Sequence, residues 1–377
     1  MLVFKYFVNC MKNSKLCCIF NYAPLYRKSI YNKIDNEFDA QFYFSDMESD
    51  IAKMDYSDFK KPPKVVYDRR LLGLPIFWRF GLLRLAFKDY QNYLVIGDGN
   101  LAYLLFIPLC HLFGKRVYAW GHGYKNFRGK TGWLQKWIVK HFDVFFVYGE
   151  KGKERMVDLG IPSSKMEVIY NSLNEGVSPS TQSLYLSDFV HEHYDNRLPV
   201  LLFVGRLTAV KQLNWIIDAQ EYHRSKGVEY NVLLIGDGPE KASLEKLVED
   251  KNLKRQVWFY GPCYDEEELS RLLYNTDLCV SPGNVGLTAI HAMIYGTPVI
   301  SNDDFETQMP EYESIISGKT GELYKKNNFE DFCDKIENWL LRAPNRDQIR
   351  YNCYSVINDK FNSCYQIGVL KSIIKFW

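Results

Sequence analysis

A repeated alternation constrains this chain most: short apolar runs, each closed by a polar or glycine-rich turn, are separated by stretches of helical periodicity. In the first half the runs fall at 16–20, 93–96, 116–120 and 144–148, and the pattern restarts at 200–204, 232–235, 257–260, 278–280 and 298–300. Apolar runs this short, bounded by turns, read as strands buried on both faces, and helices between them make the sheets parallel. Residues 171–199 are rich in Ser, Asn, Pro and Asp and have no periodicity, so the boundary between two modules belongs there. The expected fold is α/β, with two Rossmann-like doubly wound parallel-sheet domains on either side of that boundary. A length of 377 residues suits two medium domains better than one.

Composition narrows the function classes. Lys and Arg number 47 against 45 Asp and Glu, a net charge of +2, which argues against a protein that grips nucleic acid through a dense cationic face. The total hides an asymmetry: residues 1–175 carry 26 basic and 17 acidic side chains, and the remainder 21 and 28. The first half is therefore expected to meet something anionic. Nine scattered cysteines without a C-x-x-C pair fit neither a zinc knuckle nor a disulfide framework and point to a reducing compartment. The apolar start is interrupted by Lys5, Lys12 and Lys15 and lacks a small-residue cleavage site, so no signal peptide is expected. No window is long and apolar enough for a membrane span.

In open parallel sheets ligands bind beyond the carboxyl ends of the strands, which selects four segments. In FVGRLTAVK a strand ends at Val204, Gly205 frees the backbone, and Arg206 and Lys211 flank the entry to a helix. Cations there oppose the helix dipole, and a bound diphosphate would explain them; two solvated surface cations are the alternative. LLIGDGPE carries Gly236 and Gly238 but is not G-x-G-x-x-G, and IGDGNLAY at 96–103 fails the same test, so a nicotinamide dinucleotide site loses its support. The run Asp265, Glu266, Glu267 and Glu268 reads as carboxylates in the first turn of a helix rather than as a metal cluster. In SPGNVGLTAIHAMIYGTPVI a turn leads into a helix over about 287–295, whose first amides, from Gly286, Leu287 and Thr288, would point at the same anion. His291 lies one turn further along, either reaching a ligand or packed as a core side chain.

Four motifs in order, GRLTAVK (205–211), LLIGDGPE (233–240), YGPCYDEEELSRLL (260–273) and the SPGNVG segment (281–300), resemble the C-terminal domain of family 4 glycosyltransferases, which have the GT-B fold. NYAPLYR (21–27), WGHG (120–123) and VIYNSLN (168–174) are similar to segments of the acceptor-side domain of that group. The resemblance implies two domains facing a cleft, an N-terminal acceptor domain at 1–175 and a C-terminal donor domain at 176–357. It also implies a final helix, about 358–377, that packs back on the first domain, and transfer with retention at the anomeric carbon. It assigns Arg206, Lys211 and His122 to the catalytic centre. Gly205, Gly236, Gly238, Gly261, Cys263, Gly283, Asn284, Val285, Gly286, Leu287, Thr288 and His291 then line the donor, and Tyr26 and Arg27 the acceptor side. Family members usually carry two glutamates eight positions apart in the fourth motif; Gly283 and His291 stand there, which marks a variant subgroup.

The reaction expected is a metal-independent hexosyl transfer from a UDP- or GDP-linked sugar to a glycan or lipid-linked acceptor, in polysaccharide or glycoconjugate biosynthesis, with no cofactor. Charge stabilisation by Arg206, Lys211 and the helix amides carries it. Asp303, Asp304, Asp55 and Asp58 read as loop carboxylates. Residues 60–90 hold eight basic and two acidic side chains among Phe77, Trp78, Phe80 and Phe87. They suggest a helix that lies on an anionic membrane surface or packs in the core with its Arg stems snorkelling. The location expected is cytoplasmic, peripheral on the inner face of the plasma membrane in the first case. A non-hydrolysing sugar-nucleotide epimerase, which shares the architecture, and a degenerate nucleotide-sugar-binding subunit are the rival readings.

Overall fold

The computed structural model describes residues 16–45, 52–70, 77–127, 129, 131–173, 187–342 and 345–375. They fall into two compact units, Met1–Glu175 with Asn362–Trp377, and Gly176–Phe361. No helix among the described residues is long and apolar enough to cross a membrane.

The first unit is built on an eight-stranded sheet: β1 (Leu16–Phe20), β2 (Gln41–Ser45), β3 (Lys64–Arg70), β4 (Phe77–Phe80), β5 (Asn92–Ile96), β6 (Arg116–Gly121), β7 (Phe145–Val147) and β8 (Met166–Val168). The order is β4-β3-β2-β1-β5-β6-β7-β8, parallel throughout except for the antiparallel β3–β4 edge. All five residues of β1 are buried, as a central strand with helices on both faces requires. The helix Lys28–Phe38 covers one face with Ile30, Ile34 and Phe38, spaced i, i+4, i+8, and with Tyr31, which stacks on Phe20 at 5.2 Å. Leu370 of the helix Ser363–Ile373 and the following Ile374 join this core, which is what holds the C-terminal helix to the first unit. Burying each such side chain stabilises the unit by about 1.5–3 kcal/mol.

Residues 60–90 are not a helix of either expected kind. They form β3 and β4 and the one-turn helix Leu82–Leu85, with 71–76 outside the described residues. The register sets Asp68 opposite Arg79, and both point inward. Arg79, 1% exposed, donates to Asp68 in a fork (Nε to Oδ1 2.9 Å, Nη2 to Oδ2 2.8 Å) and to Asp98 Oδ2 at 3.0 Å. Composition misled here because two charges that satisfy each other inside a sheet look, in sequence, like charges meant for solvent.

The second unit has six parallel strands, β9 (Val200–Val204), β10 (Asn231–Ile235), β11 (Val257–Gly261), β12 (Leu278–Ser281), β13 (Val299–Asn302) and β14 (Gly321–Tyr324), in the order β11-β10-β9-β12-β13-β14. The chain leaves β9 toward one edge and returns at β12 to build the other, so the strand order reverses between these two. Ligands of doubly wound sheets bind at such a crevice. Two arginines of the helix Arg346–Asp359 close the C-terminal end of the helix Glu266–Tyr274: Arg346 Nη2 donates to the carbonyls of Tyr274 (2.9 Å) and Thr276 (2.8 Å), and Arg350 Nη2 to that of Tyr274 (2.9 Å).

Candidate functional site

The loop after β9 and the loop after β12 meet at the crevice. Gly283 N donates to the Lys211 carbonyl at 2.9 Å and Asn284 N to the Val210 carbonyl at 3.2 Å, while Lys211 Nζ donates to the Asn284 carbonyl. A Cβ on Gly283 would lie 1.9 Å from the Val210 oxygen, so glycine there is a condition of the two loops touching. The loop after β10 closes the other side: Leu207 N donates to the Asp237 carbonyl at 2.9 Å, and a Cβ on Gly236 would lie 1.9 Å from the Gly205 oxygen. Packing of backbone on backbone therefore accounts for Gly236 and Gly283, and for Gly238, whose Cβ would meet the Leu207 oxygen at 2.3 Å.

Arg206 stands exposed on the first loop. Lys211 ends a 3-10 turn, Ala209–Lys211, and is half-buried; burial lowers its pKa, opposed by Glu311. Both cations precede the helix Asn214–Ser225. The helix of the fourth motif runs Thr288–Ile294, shorter at both ends than expected. Among the described residues the N–H groups of Gly286, Leu287 and Thr288 have no acceptor, whereas Val285 N donates to Gln308 Oε1 at 2.9 Å. Thr288 Oγ1 is committed to the Val204 carbonyl at 3.0 Å, which ties this helix to the end of β9 beside Gly205. The crevice thus presents two cations and unused amides.

Two residues that sequence reasoning missed hold this loop. Gln308 and Asn302, each 2% exposed, donate through their amides to the Gly283 carbonyl at 3.0 Å, and Asn302 also to that of Pro282 at 2.9 Å. No motif marks them; only the fold brings Gln308 back to the loop.

His291 is neither an isolated core side chain nor an open one. Its Nε2 lies 3.2 Å from Glu266 Oε1, and the Tyr295 hydroxyl donates to the same oxygen at 2.5 Å. The bond to His291 lowers the Glu266 pKa. The acidic run does open a helix, with Asp265 capping it through Glu268 N at 2.9 Å, yet Glu266 has this second engagement. Cys263 follows the edge strand β11, its Sγ 3.7 Å from Glu268 Oε2; Gly261 is joined to the loop after β10 through Gly236 N, 2.8 Å from its carbonyl.

In the first unit the carboxyl ends of the strands bring together Tyr26, Arg27 and His122. The Arg27 guanidinium packs against the rings of Trp120, Tyr148 and Tyr26 and donates to the Tyr148 hydroxyl. The His122 ring lies 4.9 Å from that of Tyr148. Packing around the ring, then the cations Arg27 and Lys125, lower the His122 pKa to about 4, so the imidazole is neutral at neutral pH and can only donate or accept a hydrogen bond.

Residues 188–356 match the family described as glycosyl transferases group 1. Among curated relatives, a poly(ribitol-phosphate) alpha-N-acetylglucosaminyltransferase of Staphylococcus aureus is 29% identical over 46% of this chain and 33% of its own length. An alpha-D-kanosaminyltransferase of Streptomyces kanamyceticus is 27% identical over 41% of this chain and 39% of its own. The chain thus spans between a third and two fifths of these two relatives. Among solved structures, the lipopolysaccharide outer core galactosyltransferase WaaB superposes with a TM-score of 0.70 at 16% identity, covering 95% of this chain and 99% of that one. Anabaena HepE in complex with UDP gives 0.71 at 15% identity, with the same coverage. The family match thus covers residues 188–356, and the two Rossmann-like units are those of the GT-B fold.

Proposed function

We propose that this chain is a retaining, metal-independent hexosyltransferase that moves a sugar from a UDP- or GDP-linked donor to a glycan or lipid-linked acceptor in polysaccharide or glycoconjugate biosynthesis, at the cytoplasmic side of the membrane. The second unit binds the donor and the first the acceptor. The observation that carries this reading is the crevice between β9 and β12, where the loop that carries Arg206 and Lys211 touches the loop that leads into the N–H groups of Gly286, Leu287 and Thr288, which have no acceptor among the described residues. Only an anion uses two cations and a set of amides at once. The HepE structure, which holds UDP, and the acceptor in the S. aureus relative's name, a poly(ribitol-phosphate), support the substrate classes.

As the glycosidic bond of the donor lengthens, its electron pair passes to the leaving diphosphate. Arg206 would receive that charge as a planar fork, the amides as fixed dipoles, and Lys211 as a point charge released from the Asn284 carbonyl. His122, being neutral, contributes a hydrogen bond to the transferred sugar rather than a proton. Peripheral membrane contact through residues 60–90 stays in the reading on a different footing: Val65, Tyr67 and Phe80 stand 47–52% exposed on the outer face of the β3–β4 edge, beside Lys64 and Arg69.

A thermal-shift screen against UDP, GDP, CMP and dTDP identifies the donor base, since a ligand of the folded state alone raises its stability. Transfer is then measured with the matching sugar nucleotides. Arg206→Ala and Lys211→Ala are each expected to lower turnover by about two orders of magnitude without unfolding the chain. Wild-type rates in both would refute the diphosphate assignment.

A further inference from the structure

Two arginines among the described residues of the first unit, Arg79 buried and Arg27 half-buried, are treated differently. Arg79 is matched by two carboxylates, Asp68 and Asp98. Arg27 has none: among the described residues its partners are aromatic. Its Cζ lies 5.4 Å from the ring centres of Trp120 and of Tyr148 and 5.7 Å from that of Tyr26, with the Tyr148 hydroxyl accepting from Nη2. Tyr31 is a second phenolic hydrogen-bond partner; a guanidinium has five N–H donors and stays charged at any physiological pH, so two phenols leave part of its capacity for a further acceptor. The rings beneath it are fixed, Trp120 being 2% and Tyr148 1% exposed. The same cluster holds a second donor without a partner, the buried Trp120 Nε1.

Place sharpens the point. Arg27 is the residue before the helix Lys28–Phe38, where a cation is disfavoured by the helix dipole. Trp120 is near the carboxyl end of β6 and Tyr148 follows β7, so the cluster occupies the side of the sheet where doubly wound domains take their ligands. In the second unit, Arg346 and Arg350 show how this fold satisfies arginines structurally, by turning them onto helix carbonyls. Arg27 has no such partner.

We propose that Arg27, on its aromatic platform, is an oxyanion-binding site of the first unit that receives a phosphate group of a substrate. Calling the ligand a substrate rests on the transferase reading; the site itself does not. Phosphate chemistry could come from an anionic group on the acceptor or from the donor diphosphate, and the two sources give different results below. A phosphate accepts from several N–H groups of the guanidinium at once and matches a cluster that is rich in donors.

The test uses the full chain and calorimetric titration with two probes, glycerol 3-phosphate, which has a phosphate and no nucleoside, and UDP. Glycerol 3-phosphate is expected to bind wild type saturably, to lose at least tenfold in affinity with Arg27→Gln, and to be unaffected by Arg206→Gln. If the phosphate belongs to the acceptor, UDP affinity is the same in Arg27→Gln as in wild type; if it belongs to the donor, UDP weakens in both variants, and either result supports the site. Should Arg27→Gln fail to fold, Arg27→Lys keeps the charge while removing the planar fork, and a severalfold loss is expected. Equal glycerol 3-phosphate affinity in wild type and the folded Arg27 variant, or no saturable binding by wild type, overturns the proposal. Phosphate binding through Arg27 in a chain that transfers from no donor would instead refute the transferase reading and leave this site standing.

Discussion

Adding one methyl group at Gly283 tests the central claim about the crevice, that two loops are held together by backbone contact. In Gly283→Ala the new Cβ would sit 1.9 Å from the Val210 oxygen and 2.8 Å from the Lys211 Cα, and backbone cannot swing aside as a side-chain tip can. The loops must part, at the expense of Gly283 N to Lys211 O (2.9 Å) and Asn284 N to Val210 O (3.2 Å). Each lost hydrogen bond costs about 0.5–1.5 kcal/mol net and overpacking about 1–3 kcal/mol, so a destabilisation of roughly 2–6 kcal/mol is expected. At roughly 2–4 °C per kcal/mol for domains of 150–250 residues, Tm should fall by on the order of 10 °C. The measurement is thermal and urea unfolding by circular dichroism, with Gly368→Ala as control. Gly368 lies in the helix Ser363–Ile373 with nothing within 4 Å of its Cβ position, so alanine there should be neutral or stabilising by up to about 1 kcal/mol. Nucleotide affinity should drop with Gly283→Ala alone, since that loop positions Lys211 and Asn284. A variant that melts within a degree of wild type would show that the two loops are not held by this backbone contact. The same contact bears on the glutamate that the family resemblance places at 283: this backbone has no room for its Cβ, so Gly283→Glu should fail on steric grounds whatever its chemistry.

His291→Ala should weaken donor affinity by about 0.5–1.5 kcal/mol and return the Glu266 pKa toward its ordinary value; unchanged affinity with a lower Tm would remove His291 from the site. Because Glu266 already lies 3.2 Å from His291 Nε2, His291→Glu would set two carboxylates together and should bind donor less well than the alanine variant. His122 should titrate by NMR well below its usual 6.5, and upward of its wild-type midpoint in Arg27→Gln, because one cation is gone. With a folded pKa below the unfolded one, the unfolded chain takes up the proton first, so this residue's share of stability is present above pH 6.5 and is lost as pH falls toward 4; a wild-type midpoint near 6.5 would contradict the assignment. If the β3–β4 face meets a membrane, liposomes containing anionic lipid should sediment the protein and salt should release it, and Tyr67→Ser with Phe80→Ser should abolish sedimentation; equal recovery with neutral liposomes would exclude that contact.

The alternating α/β architecture was legible in the chain's apolar runs. Nine apolar runs became strands within a residue or two of their expected ends, because a strand covered by helices on both faces must be apolar along its whole length, and such a run is visible without a partner. The sequence also marked Gly205, Arg206, Lys211 and the 283–288 turn, since a residue just past a buried strand is fixed by local chain geometry. What escaped depends on residues far apart in the chain. β4 and β14 are edge strands and β3 lies next to an edge, all with mixed patterns, and Asp68 pairs with Arg79 only once antiparallel β3 and β4 set their register. Gln308 reaches Val285, and Glu266 reaches His291, across separations that no local pattern encodes. The resemblance gives Gly283 a missing carboxylate, whereas tertiary packing gives it a reason to be glycine, a backbone oxygen 1.9 Å from where any side chain would begin. Periodicity reports which face of an element is buried; only the assembled sheet decides which charges are buried with it and which, like Arg27, meet aromatic rings instead of carboxylates.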